Sequence, residues 1–221
     1  MRQHRTSVRW GSPSKGQPQS PYHVVLGDQL SQLHPRLQAY FGAIPAGYHG
    51  VGDGTFDPVG TPRRWLWPVL WILERQGVLF PVWERNVPFT VVNTPRAEAA
   101  VTAIRTFQTR NKARRMRDEI TTDASQLVDY LGTRRRYRAG FVASVENGAL
   151  TMVSTGMAIR VGAAWLRVPR WAAPMVELTE RFDEQLDRQC VAVTTTVPGI
   201  GKVYEYAGSF DYELRQDGGS E

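Results

Sequence analysis

Residues 136–161 read RYRAGFVASVENGALTMVSTGMAIRV, and this stretch decides the fold. Apolar residues alternate with polar or small ones on both sides of Asn147-Gly148, which is the period of a half-buried β-strand. Asn-Gly between two such runs is the strongest short-range signal for a tight β-hairpin, since both residues accept the positive φ that the turn requires. The stretch therefore predicts two antiparallel strands joined by a two-residue turn.

The same period of two extends from residue 86 to near residue 214. Turn residues such as Asn93-Thr94-Pro95 and Pro198-Gly199 interrupt it every 8 to 14 residues. The predicted further strands read VPFTVV, AAVTAIRTFQ, RRMRDEITT, QLVDYLG, AAWLRVP, MVELTERF, CVAVTTTV and KVYEYAGSFDYEL. An antiparallel meander this long removes its exposed edges by closing. We therefore predict a mainly β fold, an up-and-down (calycin/lipocalin-like) barrel of about 8–10 strands.

Two segments ahead of these strands are predicted to be helical. Residues 22–41 carry leucines at helical spacing, and the glycine-rich stretch that follows predicts a bent first strand. Residues 62–83 are rich in tryptophan but are broken by Pro68, Glu74 and Pro81, so they are too interrupted to span a bilayer. We predict a helix that caps the barrel, with peripheral membrane contact as the alternative.

Composition limits the protein class. The 221 residues have an ordinary globular composition, a net charge of +6 and one cysteine, Cys190, which excludes internal disulfides and cysteine-rich zinc sites. Residues 1–20 predict a disordered basic tail and residues 21–217 a single domain. The basic start has no apolar run after it, which predicts a cytoplasmic protein. No metal or cofactor motif is present, so none is expected, and the arginine clusters lack any nucleic-acid-binding motif.

The alternation of side chains between the two faces of each strand, which we call strand parity, predicts an aromatic interior. Tyr204, Tyr206 and Phe210 share one face of the last strand, and Tyr137 and Phe141 share a face of the strand before the Asn-Gly turn. We predict that these five residues, together with Trp65 and Trp71 of the capping helix, bind an apolar substrate. The same interior suits a packed core.

Three charged residues fall on otherwise apolar strand faces. Asp118 shares its face with Met116 and Ile120, while Asp129 and Arg105 occupy similar positions on neighbouring strands. Either they pair with one another, or the parity is wrong, or they form a polar patch in a cavity. In the last case, a carboxyl group with a raised pKa acts as acid or base, and the arginine positions an oxyanion. Glu177 is a further candidate for an inward carboxylate.

The chain resembles a bacterial domain of unknown function, number four thousand one hundred sixty-six. The resemblance is carried by LGDQLSQLHPRLQAYFG, GVGDGTFD, VPFTVVNTP, RTFQ, LVDYLG, VELTERFDE and VPGIGKVYEYAGSF, over roughly residues 24 to 214. Members stand alone or follow a reductase-like Rossmann domain. The resemblance implies a mostly β fold and supplies no catalytic residues.

Three functions therefore compete. The first is a cofactor-independent cyclase or isomerase acting on a polyketide-, terpenoid- or lipid-like molecule, with Asp118, Asp129 and Arg105 as its catalytic residues. The second is a carrier that uses the same cavity. The third is a nucleic-acid or anionic-membrane binder that uses the arginines and the tryptophan-rich segment.

Overall fold

A computed structural model describes residues 19–218. Most of the predicted basic tail, residues 1–18, lies outside the described residues. The last residue of that predicted tail, Ser20, is buried and caps the first helix, because its hydroxyl accepts a hydrogen bond from the His23 amide at 3.1 Å and donates one to the Phe41 carbonyl.

Within residues 19–218, twelve strands form one antiparallel sheet. They are β1 (Tyr48–Gly60), β2 (Trp83–Glu84), β3 (Val87–Arg96), β4 (Ala100–Gln108), β5 (Ala113–Asp123), β6 (Gln126–Leu131), β7 (Tyr137–Glu146), β8 (Ala149–Val161), β9 (Ala164–Arg167), β10 (Met175–Asp183), β11 (Arg188–Val197) and β12 (Gly201–Gln216). Ten of these close into an up-and-down ring, in which β12 pairs with β1 and β8 pairs with β10. The predicted barrel is confirmed, and β2 and β9 are short additions to its rim.

The Asn-Gly hairpin forms as predicted between β7 and β8. Asn147 and Gly148 both adopt a positive φ, 50° and 77°, as the tight turn requires. Tyr137, Ala139 and Phe141 point inward from β7, whereas the side chain of Val142, the next residue, is exposed. The strand parity therefore holds, because successive Cβ atoms point to opposite faces of a sheet.

Helices cover one end of the barrel. The predicted helix at 22–41 is two short helices, α1 (Pro21–Leu26) and α2 (Pro35–Phe41), joined by a 3₁₀ turn over Gly27–Gln32. Each α-helix starts with a proline, which has no N–H to donate and therefore suits the first turn. Leu26, Leu37 and Phe41 pack on the inner faces of β5 to β8. We call this the helical end.

The tryptophan-rich segment lies at the opposite end, where β1 and β8 end. It forms a 3₁₀ turn over Arg64–Leu66 and the helix α3 (Trp67–Glu74), as expected for a cap. Leu70 is buried in the core, but Trp65 and Trp71 are 60% and 54% exposed. We call this the tryptophan end. None of the described helices has the length and apolar content needed to cross a bilayer.

The glycines of β1 permit close packing against β12. A Cβ on Gly52 would lie 2.9 Å from the Phe210 ring, and one on Gly54 would lie 2.0 Å from the Ser209 carbonyl oxygen. Only glycine leaves space for this approach. The glycine-rich stretch is therefore a strand against which an aromatic face packs.

Candidate functional site

A cavity of about 430 Å³ occupies the barrel interior between the strands and α3. Most of its lining is apolar, and it includes Leu70, Leu73, Met116, Met157, Val176 and Leu178. The exposed aliphatic residues of the lining, Val69, Ile159 and Ile200, all lie at the tryptophan end. The cavity therefore opens there, while Tyr22 of α1 lines its inner part.

The structure places four of the predicted aromatic residues at this cavity. Tyr137, Phe141, Tyr204 and Tyr206 all line it. Phe210 also points inward, but it lies in the packed core, where it contacts Phe89 and Tyr40.

Three further predicted residues lie outside the cavity lining. Glu177 points outward and is exposed, because Val176 and Leu178 on either side of it face the interior of the same strand. Trp65 and Trp71 point to solvent, and α3 presents Leu66, Leu70 and Leu73 to the cavity. A short helix that is apolar nearly all round does not reveal from its sequence which side faces inward.

Arg105 and Asp118 form a buried ion pair within the cavity wall. Ala103 on β4 pairs with Asp118 on β5, and Arg105 pairs with Met116, so the two charged residues are diagonal neighbours on one face. The guanidinium donates to Asp118 Oδ1, and the two side chains are only 18% and 4% exposed. Burial raises the pKa of the Asp118 carboxyl, and the guanidinium limits that rise.

Asp129 adds a second carboxyl to the same wall. It pairs with Ile120 across β5 and β6, so it is diagonal to Asp118. Burial raises its pKa well above the ordinary value, and the negative charge of Asp118 raises it further. Its Oδ1 and Asp118 Oδ2 are buried without a hydrogen-bond partner among the described residues. The raised pKa favours the neutral carboxylic acid form of Asp129, which can donate a hydrogen bond.

A third carboxyl, which sequence reasoning missed, belongs to Glu180 on β10. In the ring of ten strands β10 lies five places from β4, so Glu180 projects from the wall opposite Arg105. Glu180 lines the cavity, is 5% exposed and accepts a hydrogen bond from the Gln189 amide. Burial raises its pKa to about 7, and the Gln189 hydrogen bond and the Arg105 charge oppose that rise. The signal was present in the sequence, since Glu180 shares its parity with Val176 and Leu178.

Tyrosines complete the polar part of the cavity. Burial raises the pKa of Tyr206 to about 12, and burial also raises the pKa of Tyr22. Both phenols are therefore neutral and can donate hydrogen bonds.

The cluster thus combines one arginine, three carboxyls of unequal acidity and neutral phenols beside an apolar cavity. It can bind a polar group on a hydrophobic molecule and can donate and accept protons near neutral pH. In residues 19–218, no three His, Cys, Asp or Glu side chains are arranged to hold a metal ion.

A protein-family model matches most of the chain. The model of the family described as "Domain of unknown function (DUF4166)" matches residues 33–210, which confirms the resemblance seen in the sequence. Searches of curated proteins and of solved structures each found no match.

Proposed function

The chain belongs to the DUF4166 family, whose description assigns no activity, and we propose that it binds an apolar small molecule in the barrel cavity and catalyses a cofactor-independent isomerisation or cyclisation. One observation carries the proposal: Asp129 and Glu180, two buried carboxyls with raised pKa values, lie on different walls of one apolar cavity.

The lining supports binding of a molecule that is mainly hydrocarbon with one oxygen function. A cavity of about 430 Å³ lies in the usual size range of small-molecule sites, and the cost of desolvating a polyketide-, terpenoid- or lipid-like chain is small. Arg105 and the Tyr206 phenol are the donors that would hold the oxygen atom at the inner end. Binding in one folded conformation would itself supply part of the rate.

The unequal acidities support proton transfer. In an isomerisation, the Glu180 carboxylate would remove a proton from a carbon next to a carbonyl group, and the C–H electrons would form an enolate. Neutral Asp129 would donate a hydrogen bond to the enolate oxygen. Glu180 would then return the proton to a different carbon, so the product is an isomer of the substrate. In a ring closure, Glu180 would deprotonate a hydroxyl while Asp129 protonates the acceptor atom.

Asp118 has a different role in this proposal. It is ion-paired with Arg105, so it holds the guanidinium in place, and its negative charge favours the protonated form of Asp129. It is therefore a positioning residue. Its replacement by Asn would lower the pKa of Asp129 and change the pH dependence of turnover.

The test uses a long-chain β,γ-unsaturated ketone, whose conjugated product absorbs in the ultraviolet. We expect Glu180→Gln and Asp129→Asn to reduce turnover by about 10²- to 10⁴-fold, the usual contribution of a general acid or base. Binding of the apolar dye N-phenylnaphthylamine should be retained in both variants. Glu177→Gln is the matched control, since it alters an outward carboxylate of the same strand.

A carrier without catalysis is the second candidate. It is favoured by the predominance of apolar side chains in the cavity lining. A wild-type protein that binds the dye but converts neither unsaturated ketones nor hydroxy ketones would contradict the enzyme and support the carrier. A protein that binds no apolar dye would contradict both.

A further inference from the structure

An apolar surface surrounds the mouth of the cavity at the tryptophan end. Trp171, between β9 and β10, is 77% exposed, and Trp65 before α3 is 60% exposed. Three exposed aliphatic side chains accompany them: Val69 of α3, Leu166 of β9 and Ile200 between β11 and β12. Because these positions come from three separate segments, the closed ring brings together a surface that the sequence scatters.

Four segments at this end of the barrel are basic. Residues 61–66, 132–136, 160–175 and 197–203 contain no Asp or Glu. Their nine basic residues are Arg63, Arg64, Arg134, Arg135, Arg136, Arg160, Arg167, Arg170 and Lys202. Two of them are paired, Arg135 with Glu119 at 2.9 Å and Lys202 with Glu205 at 2.8 Å, while the other seven have no carboxylate partner within the described range. We call the apolar and basic residues together the mouth surface.

Glu74 and Glu84, two acidic residues near this end, lie outside these four segments, and Glu84 accepts a hydrogen bond from the Arg110 backbone amide at 3.0 Å. Glu74, at the end of α3, contacts Lys112 at 2.8 Å and Arg114 at 2.7 Å. The turns of the helical end have the opposite character: residues 97–99, 123–126, 146–148 and 183–187 contain no Lys or Arg. They carry Glu98, Asp123, Glu146, Asp183, Glu184 and Asp187. The charge is therefore separated along the barrel axis.

We propose that the mouth surface docks on an anionic lipid bilayer. Exposed tryptophans partition to the interface of a bilayer, aliphatic side chains insert below it, and arginines bind lipid phosphates. A nucleic acid would use the arginines but would gain little from the aliphatic groups. The acidic helical end would be repelled by the same membrane, so the barrel axis stands with the cavity mouth against the lipid.

This orientation supplies a route by which a ligand reaches the cavity. If the cavity binds an apolar molecule, as proposed above, that molecule enters from the bilayer without crossing water. Docking itself needs nothing from Asp129 or Glu180, so the two proposals fail independently.

The experiment measures flotation of the full-length protein with vesicles. We expect binding to vesicles of an equal mixture of phosphatidylglycerol and phosphatidylcholine, and little binding to phosphatidylcholine alone. Removing three unpaired charges with R134Q/R136Q/R170Q should weaken partition about a hundredfold, at about fivefold per charge. W65A/W171A should weaken it by about tenfold or more. Added salt should reduce binding of the wild type.

Three control variants, which change residues outside the mouth surface, test whether binding depends on that surface. V24A/L186A removes two exposed apolar side chains at the helical end, and R36E reverses a charge there. Both should bind as the wild type does. The variant R2Q/R5Q/R9Q tests the basic residues near the start of the chain.

Four outcomes would overturn the proposal. They are no binding to the mixed vesicles, equal binding by the mouth variants and the controls, binding that is lost only in R2Q/R5Q/R9Q, and capture of DNA or an acidic protein in place of vesicles. Dye binding by W65A/W171A in solution distinguishes the two proposals. If it is retained while flotation is lost, the cavity and the docking surface are separate functions.

Discussion

Replacing Glu180 with Gln should stabilise the protein at alkaline pH and have little effect at acid pH. The carboxyl is 5% exposed, and burial raises its pKa from 4.5 to about 7. Gln has nearly the same shape, can still hydrogen-bond to Gln189 and carries no charge at any pH. The substitution therefore removes the cost of ionising a carboxyl inside the barrel.

The magnitude and its sign follow from proton linkage. Between pH 4.5 and 7 the unfolded chain has released the Glu180 proton, whereas the folded protein still holds it. Stability therefore falls as pH rises through this window. A pKa raised from 4.5 to about 7 corresponds to a total of about 3 kcal/mol. Below this window Glu180 is neutral in both states, and above it the full cost is present.

Urea unfolding of the wild type and E180Q at a series of pH values between 5 and 8 measures this effect. E180Q should be more stable by roughly 1 kcal/mol at pH 5 and by about 3 kcal/mol at pH 8. E177Q, on the outer face of the same strand, should follow the wild type throughout. A constant difference between E180Q and the wild type at all pH values would refute the reasoning, since it would show that Glu180 does not titrate with a raised pKa.

Three further substitutions test the barrel. Arg105→Leu leaves Asp118 buried without its partner and should cost about 3–5 kcal/mol at pH 7. The loss should shrink as the pH is lowered, because protonation removes the uncompensated charge, and a loss in urea unfolding that does not change with pH would contradict the ion pair. Phe107→Ala removes a ring that is fully buried, so a loss of about 3–5 kcal/mol is expected, and under 1 kcal/mol would mean that the core is packed differently. Gly148→Ala, at a φ of 77°, should cost about 1 kcal/mol in thermal unfolding, whereas Gly156→Ala, which has open space around it, should not.

Local pattern was enough to predict the strands and most of their inner faces. Successive side chains of a strand alternate between its faces whatever the strand pairs with, so Tyr137, Phe141 and Asp118 could be assigned inward from their neighbours. The Asn147-Gly148 turn was equally readable, because its geometry depends on two residues only.

The sequence predicts the inner face poorly where its pattern is weak. The apolar residues on either side of Glu177 suggest an inward carboxylate, but a period of two places those residues on the other face of the strand. The segment around Trp65 and Trp71 is apolar on nearly every side, so its sequence contains no preferred inner face.

The sequence by itself determined that this protein is a closed β-barrel with charged residues on inner strand faces. Local alternation encodes which side of each strand is buried, and a long meander must close to remove its edges. Only the tertiary structure decided which charges meet. Glu180 lies opposite Arg105 because ten strands close the ring, and the mouth surface gathers segments far apart in sequence. Neither arrangement is a property of any one strand, since the distance between two walls of a barrel depends on how many strands complete the circle.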